Sequence, residues 1–364
     1  MFIYPFIFLF IFLFSACSTL NQEARTTLTT TASTVTIPSN KPNDLLPEPL
    51  IEAKDLPAKP QNIALLLPPI KNKFGILGNA IKNGFIAAAN ANQSKLQIST
   101  HYVNSNNVSS IYKKVVKQGA DFVVGPLLKI TIESLVKNKE RLPVPVLALN
   151  HLDSQLNVGN LYQFALSAQD EAKAVAELTK QHHRAIALYP NTDWGKGVFN
   201  AFSKEWQAGQ IVKEIPYFYY NNYVTSISKS LTKYKNIDMI FLVAHSNKAY
   251  KIVPTLKRKF KNVAIYSTSH IYRGRLTPKK DYKLNNIIFI DMPWILTKGL
   301  AFKIKRHKRL YAFGMDAYLL VDKFQQREWQ GKTGHLFVDN LGVIHRNQFI
   351  ALKFVKGKPQ LVNK

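Results

Sequence analysis

The chain has 364 residues, of which 46% are hydrophobic, enough for one large core or two smaller ones. Lys and Arg number 49 against 22 Asp and Glu, a formal charge of +27, which points to anionic partners: nucleic acid, a membrane surface or an acidic polymer. A single cysteine excludes an intrachain disulfide.

The chain opens with an apolar leader that ends near its only cysteine. Met1 to Phe14 is almost wholly apolar, and small residues and Cys17 come after it. A short apolar run before small residues is typical of a secretory signal and is too short to span a membrane as a helix. The segment resembles a bacterial lipobox, although Phe14 stands where Leu is preferred and the leader has no Lys or Arg. We expect residues 1–17 to be a lipoprotein signal peptide with a lipidated Cys17; the alternative is a plain signal peptide.

Export narrows the choice of anionic partner. The residue after Cys17 is Ser18 rather than Asp, and resemblance to sorted lipoproteins then implies anchorage in the outer membrane, facing the periplasm. A protein outside the cytoplasm does not meet the genome, so we expect no nucleic-acid partner despite the charge. Lipid head groups, peptidoglycan carboxylates and acidic patches on protein partners remain.

Residues 18–61 are predicted to be a disordered tether. Thr, Ala and Ser dominate the stretch from 26 to 36, and six prolines recur between 38 and 60. Such a segment buries too little apolar surface to offset its ordering entropy. Fully extended it would span about 140–150 Å, and as a random coil about 35–40 Å. Residues 1–61 hold four basic and five acidic residues, so nearly all of the positive charge belongs to residues 62–364.

Strand–helix alternation begins at Asn62 and occurs in two series. The first has predicted strands at 62–67, 96–103, 121–125, 144–149 and 161–166, and helices at 79–92, 108–118 and 127–139. The second has helices at 167–182, 193–207, 224–234 and 247–260, and strands at 185–189, 211–217, 238–244, 263–267 and 285–292. Ser167 is expected to cap the first helix of that series, with Asp170 and Glu171 in its first turn. A helix at 310–327, a hairpin at 334–346 and a strand pair at 349–355 and 360–362 complete the chain.

The two series predict an α/β fold of two doubly wound, mainly parallel sheets. Their strands are almost continuous in apolar residues, as strands buried on both faces are. The arrangement is similar to the type I periplasmic-binding-protein fold, with two lobes joined by hinge crossovers. We place residues 62–166 and 308–364 in the first lobe and residues 167–307 in the second.

A ligand crevice is expected beyond the carboxyl ends of the parallel strands, between the lobes. The candidate cleft residues are Pro68, Pro69, Gly125, Pro126, Asn150, Tyr189, Trp194 and Ser269. Trp194, which comes after Asp193 as the expected helix cap, could stack on a ligand or pack against the hinge. Gly125-Pro126 could equally be a tight end to its strand.

A specific family resemblance covers roughly residues 62–359. Seven collinear segments resemble the LppC family of lipoproteins: NIALLLP, GADFVVGPLLK, VPVLALN, NLYQFALSAQDEAKAVA, NTDWGKGVFNAFSKEWQ, RLYAFGMDAYLLVDK and GKTGHLFVDNLGVIHR. The resemblance implies an outer-membrane lipoprotein that stimulates a class A penicillin-binding protein, a peptidoglycan synthase, through its binding-protein-like domain. Peptidoglycan itself is a further candidate partner. Full-length members carry helical repeats before this domain, where the present chain has its tether.

The sequence holds no catalytic or cofactor-binding motif. Gly331-Lys332-Thr333 lacks the earlier glycine of a phosphate-binding loop, since Gln326 stands there. We find no Gly-x-Ser-x-Gly, no His-Glu-x-x-His and no cysteine placed for nucleophilic work. We therefore expect no enzymatic activity, no cofactor and no metal.

Two dense basic runs form a candidate docking surface. They contribute Lys257, Arg258, Lys259 and Lys261, and Lys303, Lys305, Arg306, Lys308 and Arg309. Such runs would speed association with an anionic partner and make binding sensitive to salt. The alternative is a solvated face that keeps the protein soluble.

Three functions are compatible with these features. The family resemblance favours a non-enzymatic regulator of peptidoglycan synthesis. The fold alone allows a periplasmic receptor for a solute or muropeptide. A purely structural link between the outer membrane and the cell wall is the third possibility.

Overall fold

The computed structural model describes residues 59–153, 157–219, 222–297, 304 and 306–362. The predicted signal peptide, Cys17 and most of the tether therefore lie outside the described residues, as do Lys303 and Lys305. Within the described ranges the chain folds into two sheets, each covered by helices on both faces.

Strands and helices alternate along the chain. The strands are β1 (Asn62–Leu67), β2 (Gln97–Tyr102), β3 (Phe122–Val124), β4 (Arg141–Ala148), β5 (Gly159–Phe164), β6 (Arg184–Pro190), β7 (Gln210–Tyr217), β8 (Met239–Leu242), β9 (Ala264–Ser267), β10 (Ile287–Asp291), β11 (Glu328–Gln330), β12 (His335–Val338), β13 (Val343–Asn347), β14 (Ile350–Val355) and β15 (Lys358–Leu361). The helices are α1 (Gly75–Ala91), α2 (Val108–Lys117), α3 (Lys129–Val136), α4 (Ala168–Leu178), α5 (Asp193–Glu205), α6 (Tyr223–Ser230), α7 (Ser246–Lys259), α8 (Pro278–Asp281) and α9 (Lys308–Asp322).

The first sheet has the order β11-β12-β13-β5-β4-β3-β1-β2. Its strands β1 to β5 are parallel, and β13 joins the edge of β5 in parallel, pairing Ile344 with Phe164. The second sheet has the order β15-β14-β10-β9-β8-β6-β7, and β14 pairs antiparallel with β10. The predicted α/β class with two mainly parallel sheets is confirmed.

The continuous apolar strands are explained by burial on both faces. In β1, Ile63, Leu65 and Leu67 pack toward α1 and α9, whereas Ala64 and Leu66 pack toward α2 and α3. Successive strand side chains point to opposite faces, so a strand covered on both sides needs no polar alternation.

The last strand pair corrects our division of the chain into lobes. We placed residues 308–364 together in the first lobe, but β14 and β15 belong to the second sheet. Leu352 and Phe354 are buried there, and Phe354 stacks on Phe289 of β10 with ring centroids 4.9 Å apart. Helix α9 does pack in the first lobe, through Phe313 and Ala317.

Several helix boundaries also differ from the prediction, among them those of α1 and α9. Helix α1 begins at Gly75 instead of residue 79, because Gly75 lets the helix start against the preceding loop. A Cβ atom on Gly75 would lie 2.4 Å from the carbonyl oxygen of Pro69. Helix α9 ends at Asp322, before the predicted residue 327, and Glu328–Gln330 forms the edge strand β11.

Candidate functional site

The predicted cleft residues of the first lobe lie at the ends of their strands. Pro68 is buried and Pro69 half-buried after β1, while Gly125 and Pro126, joined by a cis peptide bond, are buried after β3. Gly125 has a φ of +104°, and a Cβ there would lie 2.0 Å from the Leu66 carbonyl oxygen. The side-chain amide of Asn150 donates to the Leu127 carbonyl at 3.1 Å. These residues pack within their own lobe and shape its edge.

Tyr189 does not face the cleft, which corrects the prediction. Its ring stacks on Phe199, with centroids 4.5 Å apart and planes 11° apart, and its hydroxyl donates to Glu214 at 3.1 Å. Alternation along β6 places Tyr189 on the same side as Ala185 and Ala187, in the core covered by α4 and α5. The strand end was predicted correctly, but the side of the sheet was not.

Trp194 packs against two histidines of its own lobe. It lies in the first turn of α5, whose cap is Thr192 and not the expected Asp193, since the Thr192 hydroxyl accepts from the Gly195 N–H. The indole stacks on His245 at 4.7 Å between centroids and lies 5.1 Å from the ring of His270. Trp194 thus packs on side chains of its own lobe, and stacking on a ligand stays a prediction.

Ser269 is the beginning of a buried polar network. Its backbone N–H and its hydroxyl both donate to Glu171, each at 2.9 Å. Glu171 lies in the first turn of α4, where Ser167 caps the helix as predicted by accepting from the Asp170 N–H at 3.1 Å. Ser269, one of the predicted cleft residues, is therefore bonded to a buried carboxylate.

This network holds the hinge between the lobes. The chain crosses between the two sheets after β5, after β10 and after β13. We define the hinge network as the side chains that bond around these crossings: Asp170, Glu171, Ser269, Asp291, Arg309 and Arg346.

Arg346 joins the third crossing to the first. Its side chain is fully buried, and its guanidinium donates to the Ser167 carbonyl at 3.1 Å and to Glu171 at 3.4 Å. Its backbone N–H donates to Asp170 at 3.1 Å. A buried charge is costly unless it is paired and hydrogen-bonded, so removing one partner of these contacts should destabilise the fold.

Arg309 joins the second crossing to the same network. Its Nε donates to Oδ1 of Asp291 at 2.9 Å and its Nη2 to Oδ2 of Asp291 at 2.5 Å, a bidentate ion pair. The guanidinium also donates to the backbone carbonyls of Ser269 and Tyr272, each at 3.1 Å. Burial by itself would lower the pKa of the Arg309 guanidinium. The contacts with Asp291 together have the larger effect, so the pKa is raised. We predicted Arg309 on a docking surface; the structure instead uses it inside the hinge, paired with a fully buried carboxylate.

Asp316 anchors the hairpin that leads to Arg346. Its carboxylate accepts from the Thr333 hydroxyl at 2.6 Å and from the Lys332 N–H at 2.6 Å. Burial raises the pKa of Asp316 to about 6, even though these donors favour the charged form. The Gly331-Lys332-Thr333 segment thus serves as the turn between β11 and β12.

A groove of about 460 Å³ opens beside the hinge network. Its charged lining includes Asp170, Lys173, Glu177 and His345. The hydrogen bond to Asp170 raises the pKa of His345 despite burial, and Nε2 of His345 lies 3.0 Å from Asp339. Burial would raise the pKa of Asp170, but the contacts with His345 and Arg346 lower it. Each of the two groups therefore favours the charged form of the other.

The predicted docking residues have different environments. Arg258, Lys261 and Arg306 are exposed, and Lys259 is half-buried. Lys257 is also half-buried and donates to the backbone carbonyls of Lys283 and Asn285, and burial lowers its pKa. Burial likewise lowers the pKa of Lys308, which is half-buried at the start of α9.

Two further observations concern the described residues alone. They contain no group of three or more His, Cys, Asp or Glu side chains that could hold a metal ion. None of the helices in the described ranges combines the length and apolarity that crossing a bilayer would require.

Comparison with known proteins identifies similar families and folds. The model for the LppC family, described as "LppC putative lipoprotein", matches residues 20–352. The penicillin-binding protein activator LpoA of Pasteurella multocida is 28% identical over 276 residues, which cover 72% of this chain and 47% of that protein. The chain spans about half the length of the curated relatives it matches.

Solved structures show the same two-lobed fold. The C-domain of LpoA (YraM) from Haemophilus influenzae, described as a regulator of PBP1A, matches with a TM-score of 0.72 and 24% identity, covering 83% of this chain and all of that domain. The substrate-binding protein LivJ of Streptococcus pneumoniae, in complex with isoleucine, matches with a TM-score of 0.56 and 15% identity over 82% of this chain and 97% of that protein. At these identities the likeness shows the fold alone.

Proposed function

This chain belongs to the LppC family, and from that premise we propose that it is a non-enzymatic regulator that binds and activates a class A penicillin-binding protein. Its action would increase glycan polymerisation or cross-linking by that peptidoglycan synthase. The observation that carries the proposal is the family match, which extends over nearly the whole folded part of the chain.

The named relatives support an activating role. The relative from Pasteurella multocida is named a penicillin-binding protein activator. The solved domain from Haemophilus influenzae is described as a regulator of PBP1A, and this chain matches all of it. The matched portion thus corresponds to the C-domain of that relative.

The location we propose is the outer membrane, with the domain facing the periplasm. The support is the apolar leader ending near Cys17 and the description of the family as lipoproteins. A lipidated Cys17 would anchor the domain to the membrane through the Thr- and Pro-rich tether of residues 18–61. The coil reach of about 35–40 Å and the extended reach of about 140–150 Å let it meet partners away from its membrane.

The mechanism we propose is allosteric and acts through a preorganised surface. Binding must favour an active state of the synthase, by no more than its difference in affinity for the two states. In this proposal the buried contacts of Arg309 and Arg346 preorganise the two lobes, which would reduce the conformational entropy lost on docking. The hinge network thus supports a role as a rigid binding partner.

The competing function is a receptor that closes over a solute or muropeptide. It is favoured by the likeness to LivJ, which was solved with isoleucine bound. A clamshell receptor requires a hinge that moves and a cleft that is free. Here Ser269 and Glu171 bond to each other, Trp194 stacks on His245, and buried ion pairs surround the crossings. These contacts engage Ser269 and Trp194, two of the residues predicted to face a ligand, and to that extent favour the regulator.

The decisive experiment measures glycan polymerisation and cross-linking by the cell's own class A synthases, with and without residues 18–364. We expect stimulation by the protein, with none when a catalytically inactive synthase replaces the active one. Absence of both binding and stimulation for every class A synthase of that cell would overturn the proposal. A thermal-shift screen with amino acids, peptides and muropeptides tests the receptor, since a ligand of the folded state raises its melting temperature.

A further inference from the structure

The second lobe carries a surface of concentrated positive charge. Residues 246–283 contain eleven Lys and Arg and one acidic residue, Asp281. That residue is buried, and its carboxylate accepts from the Tyr250 hydroxyl at 2.6 Å and the Thr277 hydroxyl at 2.8 Å. The single negative charge in this stretch is therefore used inside the lobe.

The exposed basic side chains lie on adjoining elements. The Tyr250 hydroxyl of α7 donates to Asp281 at the end of α8. Lys257 of α7 donates to the carbonyl of Lys283, in the turn after α8. These two bonds join α7 to α8 and to that turn. The guanidinium of Arg273 lies 5.6 Å from the ring centroid of Tyr250, which places Arg273 beside α7. We define the α7–α8 basic surface as the eight exposed residues Lys251, Arg258, Lys261, Arg273, Arg275, Lys279, Lys280 and Lys283.

Two features of this surface bear on what it could bind. None of its eight cations forms an ion pair with a carboxylate in the part of the chain that the structure describes. Two large apolar side chains stand among them: Leu276 is 51% exposed and Tyr282 is 64% exposed. A basic face with exposed Leu and aromatic side chains is the composition that lies against membrane head groups.

We propose that the α7–α8 basic surface binds the anionic head groups of a lipid bilayer. The cations would lie over the head groups while Leu276 and Tyr282 enter the boundary with the acyl chains. Five of the eight cations occupy the same short stretch, 273–283, as these two apolar side chains. Lysine is depleted in the cores of protein interfaces, so a surface rich in Lys fits lipid better than an acidic protein patch.

The inference rests on the proposed function in one respect, the anchor. A domain tethered to a bilayer by a coil of about 35–40 Å meets that bilayer at a high effective concentration, so weak binding suffices to hold it. Bound to lipid, the domain lies on its own membrane; released, it reaches toward the synthase. The surface would thus regulate activation by setting how much of the protein is free to extend.

The test uses residues 18–364 and vesicles of phosphatidylcholine with about 30 mol% phosphatidylglycerol, an anionic lipid. The test variant carries Lys279→Glu, Lys280→Glu and Lys283→Glu. Its matched control carries Lys113→Glu, Lys114→Glu and Lys117→Glu, three exposed lysines on α2 with the same change in net charge. A second variant, Leu276→Ser with Tyr282→Ser, removes the apolar contacts. All six lysines, Leu276 and Tyr282 are exposed, so circular dichroism and melting temperature should match those of the parent.

We expect binding to the anionic vesicles but not to pure phosphatidylcholine. The test variant should lower the partition coefficient at least about a hundredfold, because each of the three lost basic residues contributes about fivefold and the new carboxylates are repelled by the anionic surface. The Leu276→Ser, Tyr282→Ser variant should lower it about tenfold. The control should change it only a few-fold, through long-range charge.

Three outcomes would overturn the inference. The first is no binding of the parent to anionic vesicles, and the second is an equal loss in the test variant and the control. The third is a test variant that binds vesicles as the parent does but no longer stimulates a detergent-solubilised synthase. That result would show that the surface binds the synthase instead of lipid. Stimulation by the parent in detergent tests the proposed function separately, so the two can fail independently.

Discussion

The hinge network and the α7–α8 basic surface use the same residue types in opposite ways. Arg309 and Arg346 are enclosed, paired with Asp291 and Glu171, and bonded to backbone carbonyls. Arg258 and Lys280 are exposed, and no carboxylate among the described residues pairs with them. The first region uses its charge to hold the crossings together, and the second leaves its charge available to a partner.

The difference shows that the number of cations in a stretch says little about their role. Removing one partner of a buried ion pair leaves the other charge uncompensated, which is strongly destabilising. An exposed charge is solvated with or without a partner and contributes little to stability. Substitutions should therefore affect stability at the hinge and affinity at the α7–α8 basic surface.

The largest effect is expected at Arg346. Replacing it with Met, of similar length and no charge, leaves Glu171 buried without its cation and should lower the free energy of unfolding by about 3–5 kcal/mol. The measurement is denaturant unfolding of residues 18–364, with Arg258→Met as the matched control. The control should stay within about 0.5 kcal/mol of the parent, because Arg258 is exposed. Equal stability of the two variants would mean that the hinge network does not hold the fold.

An intermediate effect on stability is expected from the titration of His270, whose Nδ1 lies 3.8 Å from Glu171 of the hinge network. Burial, with the charges of His245 and Arg309, lowers the pKa of His270 to about 3. Below about pH 6.5 the unfolded chain binds a proton that the folded chain excludes, so stability present above that pH is lost as the pH falls toward 3. The side chain of His270 is 27% exposed, so we discount the effect to about 1 kcal/mol lost between pH 7 and pH 5.

The His270→Gln variant should remove this part of the pH profile. Unfolding free energies of parent and variant, measured from pH 8 to pH 5, should converge or cross as the pH falls. The difference at pH 8 serves as the internal control, since both side chains are neutral there. A constant difference across the range would show that His270 titrates equally in both states.

The smallest effect is expected at the α7–α8 basic surface. Lys280→Glu places a carboxylate near Lys279 and Lys283, which should raise stability by a few tenths of a kcal/mol at low salt. The gain should disappear at about 1 M salt, where the screening length falls to about 3 Å. Differential scanning calorimetry at the two salt concentrations measures it. A loss of stability would indicate that Lys280 makes a favourable contact in the parent, and the contrast with the hinge cations would then be weaker.

Local sequence patterns were sufficient to predict most elements of the fold. The apolar run at 62–67 predicted β1 because both of its faces are buried, and Ser167 was predicted to cap α4 because a hydroxyl there can accept a backbone N–H. The pattern also predicted a strand at 349–355, but it could not predict which of the two sheets this strand joins. Pairing of β14 with β10 joins residues about sixty positions apart, and periodicity carries no information on such partners.

The hinge network was not predicted, for a related reason. Arg346 lies in a strand whose flanking residues alternate in the expected way, and its only signal is a charged side chain at an inward position. Arg309 was grouped with a basic run because its neighbours in sequence are basic, whereas its neighbours in space are Asp291 and two carbonyls. Tyr189 was placed at the correct strand end and on the wrong face. In each case the missing information was which distant segments pack together.

Late strands of the chain pair with early strands in both sheets, and this order affects how the protein folds during its synthesis. Strand β13 closes the first sheet against β5, some 180 positions earlier, and β14 closes the second against β10. Neither lobe can complete its sheet until β13 and β14, close to the end of the chain, have been synthesised. Because synthesis starts at the N-terminus, the chain would remain incompletely folded through most of its synthesis. A chain stopped before about residue 343 would expose the edges of both β5 and β10 to proteases and to other strands. Quality control by degradation of incomplete chains would thus result from the connectivity alone.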